Sequence, residues 1–176
     1  MKPRFITLLV TGTPGTGKTT LARKLSLLLN YAYFDVNSFA KTAHIYSSYD
    51  RKRQTYVVDE AKLAMELVKV REKALKASKT AQKGIIFDSH LSHFLPSKYA
   101  DLCLLARCSL KTLEQRLRKR GYSVAKIREN LDAEIFDTCL SEARELGHQI
   151  IVFDTTKATA AAVKGLAVSL SKLVRT

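Results

Sequence analysis

The sequence predicts an α/β domain in which a five-stranded parallel sheet carries helices on both faces. Short apolar runs alternate with helical stretches along the 176 residues, which is typical of parallel strands joined by helical crossovers. The first apolar run also leads directly into a glycine-rich segment and then a helix, the order that a phosphate-binding loop requires. The five apolar runs are residues 5–10, 31–34, 84–87, 102–106 and 149–153.

The glycine-rich segment, residues 12–19, fits the P-loop pattern G-x-x-x-x-G-K-[ST]. Its glycines allow the backbone to curl until successive N–H groups face one concavity, where phosphate oxygens bind. Lys18 can reach the β- and γ-phosphates as a mobile charge, and the Thr19 hydroxyl can ligate Mg²⁺. A glycine-rich turn before an ordinary helix is the alternative. The apolar strand before the segment and the helical pattern of residues 20–29 after it favour a nucleotide site.

Composition is that of a globular protein. The chain is 46% hydrophobic and 26% charged, and its length suits a single domain spanning residues 1–176. No apolar run approaches the ~20 residues that a membrane helix needs. The three cysteines are odd in number and lack metal-ligand spacing, which indicates reduced thiols. We therefore expect a cytoplasmic protein, or also a nuclear one if the source is a eukaryote, with no membrane partner.

The net charge of +14 has two interpretations. A basic surface can simply keep a protein in solution, or it can attract an acidic partner such as RNA. The densest basic stretch, residues 107–130, is either a helix that binds RNA phosphates or a small lid that closes over ATP. Its position after the fourth strand favours the lid, in which Arg120 could also stack on adenine. The Lys-rich stretch 62–83 is most simply a solvated helix face.

The third apolar run ends in Asp88, the form of a Walker B carboxylate beside a P-loop. There Asp88 would join Thr19 in the Mg²⁺ shell. His90 follows two residues later and shares a face with Asp88 if the extended geometry persists. In that position it could orient a water molecule or contact the transferring phosphate. A packing role in the core is the alternative for a lone histidine.

The second apolar run is followed by a long excursion, in which residues 46–53 show no hydrophobic period. Long excursions in compact domains are usually functional loops. A cap at residue 37 or 38 predicts a short helix before it, and Asp59 is the predicted N-cap of the helix after it. Farther along the chain, one continuous helix is predicted for residues 130–146, with Gly147 ending it.

These residues together resemble the adenylate kinase isoenzyme 6 family, which is known in animals as coilin-interacting nuclear ATPase and has archaeal members. The likeness covers the chain from the first strand to about residue 147. It rests on Gly12-Thr13-Pro14-Gly15-Thr16-Gly17-Lys18-Thr19-Thr20, Tyr56-Val57-Val58-Asp59-Glu60, Asp88-Ser89-His90, Arg116-Leu117-x-x-Arg120-Gly121-Tyr122 and Lys126-Ile127-x-x-Asn130-Leu131-x-x-Glu134-Ile135-Phe136.

The resemblance implies a P-loop NTPase of the nucleoside monophosphate kinase type, with an AMP-binding region at about 36–59 and a lid at about 119–129. The implied activity is reversible phosphoryl transfer from Mg-ATP to AMP, accompanied by ATP hydrolysis. The implied catalytic residues are Lys18, Asp88, His90 and Arg120. The implied ATP ligands are Gly12, Gly15, Gly17, Lys18, Thr19, Thr20 and Arg120, and the implied Mg²⁺ ligands are Thr19 and Asp88.

The resemblance also implies a role in maturation of the small ribosomal subunit. The implied partners are a small-subunit ribosomal protein of the platform and rRNA, which the basic surface would contact. The alternative function is a partner-regulated ribosome-assembly ATPase with little AMP kinase activity. The acceptor segment departs from the family pattern at residues 41–44 and 50–53, so the resemblance assigns no individual AMP ligands.

Overall fold

The computed structural model describes residues 4–51, 55–78 and 83–173. The strands in chain order are β1 (Ile6–Thr11), β2 (Ala32–Asp35), β3 (Tyr46–Asp50), β4 (Thr55–Val58), β5 (Gly84–Asp88), β6 (Leu102–Arg107) and β7 (Ile150–Asp154). The helices are α1 (Lys18–Leu29), α2 (Val36–Thr42), α3 (Glu60–Ala77), α4 (Leu110–Lys119), α5 (Val124–Ile135), α6 (Thr138–Glu145) and α7 (Ala160–Leu173). None of the helices in these ranges is long and apolar enough to cross a membrane.

Five strands form one parallel sheet in the order β2-β5-β1-β6-β7. Its register places Val10 beside Asp88 and Arg107 beside Asp154, so polar side chains gather at the carboxyl edge of the sheet. Ligands of open α/β sheets bind at this edge. The predicted five-stranded parallel sheet is confirmed, and every predicted strand boundary lies within one residue of the observed one.

Two apolar cores cover the two faces of the sheet because side chains along a strand alternate between faces. Leu8 and Val10 of β1 pack with residues of α1 and α7 on one face. Leu9 of β1 packs with residues of α2, α3 and α6 on the other. The prediction of helices on both faces is therefore confirmed, and β1 is buried along its whole length.

The excursion after β2 differs from the aperiodic loop that we predicted for residues 46–53. β3 and β4 pair as an antiparallel hairpin. Its strands carry aromatic side chains, which favour a pleated surface, and the Tyr46 and Tyr56 rings stack with centroids 4.7 Å apart. Lys52 and Arg53 belong to the stretch 50–53, where the sequence departs from the family pattern. Both residues lie outside the part of the chain that the structure describes.

The cap of α2 also differs from the prediction. Asp35, rather than a residue at 37 or 38, caps the helix by accepting a hydrogen bond from the Ser38 amide at 3.0 Å. Asp59 caps α3 as predicted, since its carboxylate accepts from the Lys62 amide at 2.9 Å.

The single helix predicted for residues 130–146 is wrong. The chain forms two helices, α5 and α6, because Asp137 adopts a left-handed conformation with φ of 53° between them. The apolar period continues through the break, and for that reason the sequence suggested one helix. Gly147 follows α6 with φ of 77°, as predicted for a residue that ends a helix.

Candidate active site

The P-loop joins β1 to α1 at the carboxyl edge of the sheet. Gly12 has φ of 135°, and a Cβ added to it would lie 2.3 Å from the carbonyl oxygen of Ala106 on β6. A Cβ on Gly15 would lie 2.8 Å from Leu113 of α4. Because both positions combine positive φ with a close neighbour, the loop can pass there only as glycine. The loop backbone is thereby packed between the sheet and α4.

Lys18 is the first residue of α1 and is 7% exposed. Its ammonium donates to the Thr13 carbonyl oxygen at 3.4 Å, within the curve of the loop. Burial lowers the pKa of Lys18, an effect that the charge of Asp88 opposes. The structure therefore places a desolvated cation at the loop, and a charge in such a low-dielectric position interacts strongly with any nearby anion.

Asp88 ends β5 and is 2% exposed. The Tyr33 hydroxyl donates to its Oδ2 at 2.8 Å, whereas its buried Oδ1 has no hydrogen-bond partner among the residues that the structure describes. Burial raises the pKa of Asp88, while the Tyr33 hydroxyl, the Thr19 hydroxyl and the Lys18 charge lower it. Asp88 and Thr19 therefore lie close together.

These two residues fit Mg²⁺. In the described ranges no group of three His, Cys, Asp or Glu could hold a metal. Mg²⁺ in nucleotide sites needs no such cage, because it keeps waters and phosphate oxygens and uses only one or two protein oxygens. The orphaned Asp88 Oδ1 and the Thr19 hydroxyl are a donor set of that kind.

His90 reaches the site by a turn rather than by strand alternation. β5 ends at Asp88 and the chain bends at Ser89, so the extended geometry that we considered for His90 does not persist. The pKa of His90 is lowered to about 3, mainly by burial and to a smaller extent by the charge of Lys18. His90 is thus a neutral imidazole near Lys18, suited to orienting a water molecule or a phosphate by hydrogen bonding rather than to carrying charge.

A cavity of about 510 Å³ adjoins the outer side of the P-loop. Its size suits a nucleoside, and it combines an aromatic ring with two guanidinium groups, which suit a base and phosphates. Among the lining residues are Gly15, Gly17, Thr20, Arg116, Arg120 and Phe153. Arg120 directly follows α4, and its side chain is exposed. The segment predicted as the lid consists of the end of α4, a short turn and the first half of α5.

Two residues for which we predicted no role, Arg116 and Thr155, connect α4 to the P-loop. Arg116 of α4 donates to Thr155, to the hydroxyl at 3.1 Å and to the carbonyl at 2.9 Å. The Thr155 hydroxyl in turn donates to the carbonyl oxygen of Thr16 in the P-loop. The sequence contained one indication of a role for Thr155, since it lies two residues after the last apolar run and therefore at the carboxyl edge of the sheet.

Comparison with known proteins agrees with this geometry. Residues 8–137 match the AAA domain family. The adenylate kinase isoenzyme 6 homologs of Caenorhabditis elegans and Dictyostelium discoideum are 34% and 35% identical over 86% of this chain, covering 80% and 82% of their own lengths. The homolog of Schizosaccharomyces pombe is 38% identical over 78% of this chain and 74% of its own.

Solved structures of kinases share the fold. A sugar kinase from Janibacter sp. HTCC2649 aligns with a TM-score of 0.61 at 16% identity, over 96% of this chain and 95% of its own. The deoxyadenosine kinase of M. mycoides with bound dCTP aligns with a TM-score of 0.54 at 19% identity, over 95% and 99% of the two chains. The fold is that of P-loop kinases, and the sequence relatives show that the chain belongs to the adenylate kinase isoenzyme 6 family.

Proposed function

We propose that the protein is an adenylate kinase that transfers the γ-phosphoryl group of Mg-ATP to AMP. The observation that carries the proposal is the meeting of three groups at one sheet edge: the buried Lys18 ammonium, the orphaned oxygen of Asp88 and the neutral His90. Such a cluster beside a nucleoside-sized cavity suits phosphoryl transfer. The name of the relatives supports AMP as the acceptor.

In this proposal the chain's own residues bind and stabilise charge on the donor side. The amides of the P-loop and the Lys18 ammonium hold the β- and γ-phosphates, while Arg120 covers them from the rim of the cavity. Thr19 and Asp88 would hold Mg²⁺, which when bound neutralises developing charge on the phosphates. Because the P-loop and the Lys18 ammonium are already in place, little reorganisation of these groups is needed during the transfer.

The acceptor enters from the other side of Asp88 in this proposal. The segment from α2 to β4, which spans most of the predicted AMP-binding region at about 36–59, follows β2 beside β5. Ser89 is fixed there by a hydrogen bond from its hydroxyl to Asn37 Oδ1 at 2.7 Å, which ties α2 to the turn that carries His90. A neutral His90 would orient the acceptor phosphate, or a water molecule when no acceptor is bound.

The same site would also hydrolyse ATP slowly, since water can take the place of the acceptor. We further infer, from the resemblance and the net charge of +14, a role in maturation of the small ribosomal subunit that involves a ribosomal protein and rRNA. Binding to purified small-subunit proteins with and without ATP tests this role. Binding that does not respond to ATP in any of them would contradict a nucleotide-driven assembly step.

The test of the kinase proposal is ADP formation from ATP and Mg²⁺ with and without AMP. We expect two ADP for each ATP consumed when AMP is present, and only slow release of phosphate when it is absent. GMP in place of AMP is the matched control for acceptor choice. ADP formation at the same rate with and without AMP would reject the kinase and favour the ATPase alternative.

A further inference from the structure

A buried carboxylate links α5 to the P-loop. Glu134 of α5 is 6% exposed, and its Oε2 accepts a hydrogen bond from the Thr13 hydroxyl at 2.6 Å. Thr13 is itself a buried P-loop residue. The two residues are 121 positions apart in the chain, so this bond is a tertiary link between the P-loop and α5.

Arg107 pairs with this carboxylate. A buried carboxylate is strongly unfavourable unless it is both hydrogen-bonded and paired with a cation. Arg107, the last residue of β6, donates from Nε to Glu134 Oε1 at 3.4 Å and from Nη2 to the Glu134 carbonyl oxygen at 3.4 Å. Both carboxylate oxygens of Glu134 therefore have partners, and the sheet edge, α5 and the P-loop meet at one point.

The break between α5 and α6 positions Arg107, the partner of Glu134. Asp137 pairs with Arg107 Nη2 at 2.6 Å, and its side chain makes no capping hydrogen bond to α6. A non-glycine residue with φ of 53° is strained, and such residues persist where their surroundings hold them. The ion pair with Arg107 supplies that restraint, so the unexpected helix break serves to aim Arg107 at Glu134.

Thr13 also controls the position of Lys18. Its carbonyl oxygen accepts from Lys18 Nζ at 3.4 Å and from the Thr16 hydroxyl at 2.8 Å. A shift of Thr13 would thus move the cation that faces the phosphates and loosen the curve of the loop. Glu134 also favours the charged form of Lys18, whose pKa it raises against the effect of burial.

We propose that Glu134 is a positioning residue that holds the P-loop in its ATP-binding shape through the Thr13 hydroxyl, with Arg107 and Asp137 keeping its carboxylate in place. The proposal rests on the proposed function only in taking ATP as the ligand. It assigns no contact between Glu134 and the nucleotide. Its consequence is that ATP affinity depends on a residue of α5 that lies behind the loop.

The test compares Glu134→Ala, Glu134→Gln and Thr13→Val, with Asp132→Asn as the control. Asp132 is an exposed carboxylate on the same helix, so its substitution removes a charge without changing the contacts of Glu134 with Thr13 and Arg107. We expect Glu134→Ala to raise the Kd of ATP roughly tenfold to a hundredfold, the usual range for a hydrogen bond to a charged group. Glu134→Gln keeps an acceptor for Thr13 and should lose less, while Asp132→Asn should match wild type.

Two further measurements separate positioning from general stability. Amide hydrogen exchange of residues 12–17 should accelerate in Glu134→Ala while exchange in α7 stays unchanged. The double variant Thr13→Val with Glu134→Ala should bind ATP no more weakly than Glu134→Ala alone, because both remove one interaction. If Glu134→Ala does not fold, Glu134→Gln and Thr13→Val carry the same comparison.

Two results would overturn the proposal. One is an unchanged Kd of ATP with a lowered melting temperature, and the other is fully additive effects of the two substitutions. ATP binding and exchange are read without AMP. A wild-type protein that fails to phosphorylate AMP would therefore reject the proposed function and leave the role of Glu134 standing.

Discussion

Lys18 and Arg120 are the two cations to which our proposal assigns phosphate contacts, but the molecule holds them in opposite ways. Lys18 is buried at the junction of the P-loop and α1, and its ammonium already contacts the Thr13 carbonyl. Arg120 is exposed at the end of α4, next to Gly121 with φ of 73°. In the described part of the chain, no hydrogen bond or ion pair of the Arg120 side chain is found.

The difference separates two tasks of a phosphoryl-transfer site. A buried cation acts through a low dielectric and needs no reorganisation when charge develops, so it suits the transition state. An exposed cation on a turn is screened and mobile until a ligand orders it, so it suits capture and closure. The comparison therefore predicts that equal substitutions in the two regions have unequal effects.

The largest effect is expected for Lys18→Ala. Removing a preorganised charge from the phosphate site should lower kcat by roughly a hundredfold to a thousandfold or more, for transfer to AMP and for hydrolysis alike. Initial rates of ADP and phosphate release measure both activities. Lys73→Ala, which removes an exposed cation from α3, is the control. Turnover near the wild-type value in Lys18→Ala would place the phosphates elsewhere.

His90 is partly buried near Lys18, and its titration offers a test of this region by pH. Its folded pKa of about 3 lies below the ordinary value of 6.5, so between these values the unfolded chain binds a proton that the folded chain does not. Acidification therefore destabilises the fold. Between pH 7 and pH 5, His90→Gln should lose about 2 kcal/mol less stability than wild type. Urea unfolding of both proteins at the two pH values measures the difference.

The companion measurement for His90 is activity near neutral pH. Because the imidazole stays neutral there, His90→Gln should lower turnover more than ATP affinity, without shifting the pH profile above pH 6. An identical loss of stability in the two proteins on acidification would mean that His90 is more exposed to solvent than its surroundings indicate. A loss of ATP affinity alone would make it a packing residue.

The parts of the site that follow from local geometry could be predicted from the sequence. The spacing of Gly12, Gly17 and Lys18 encodes the loop by itself, since glycine backbone freedom and a following helix suffice to form it. Asp88 was predicted for a similar reason, because a buried strand beside a P-loop delivers its last residue to the same edge. Each of these features is recognisable from a short stretch of sequence, although the placement of Asp88 beside the P-loop also requires β5 to pair with β1.

The features of the site that sequence reasoning missed depend on partners distant in the chain. Thr13 with Glu134 and Arg116 with Thr155 are joined only by the fold. The break at Asp137 contradicts the local apolar period because the ion pair with Arg107 holds the backbone in a conformation that glycine would normally mark. Tertiary contact, rather than local preference, decides each of these positions.

The smallest effect is expected for Arg120→Ala, which tests the exposed side of the comparison. An exposed arginine on a turn contributes little packing, so the melting temperature without nucleotide should stay unchanged, while the Kd of ATP rises about tenfold, as for a hydrogen bond to a charged group.

Because the contact forms only when the turn closes over bound ATP, the melting-temperature increase produced by saturating ATP should also shrink in Arg120→Ala. Arg144→Ala, which removes an exposed arginine of α6 outside both the predicted lid and the cavity lining, is the matched control. Addition of salt should weaken ATP binding by wild type more than by Arg120→Ala, since an exposed charge is screened. A loss of stability without nucleotide in Arg120→Ala would instead mean that the turn is part of the folded framework, and the contrast with Lys18 would then disappear.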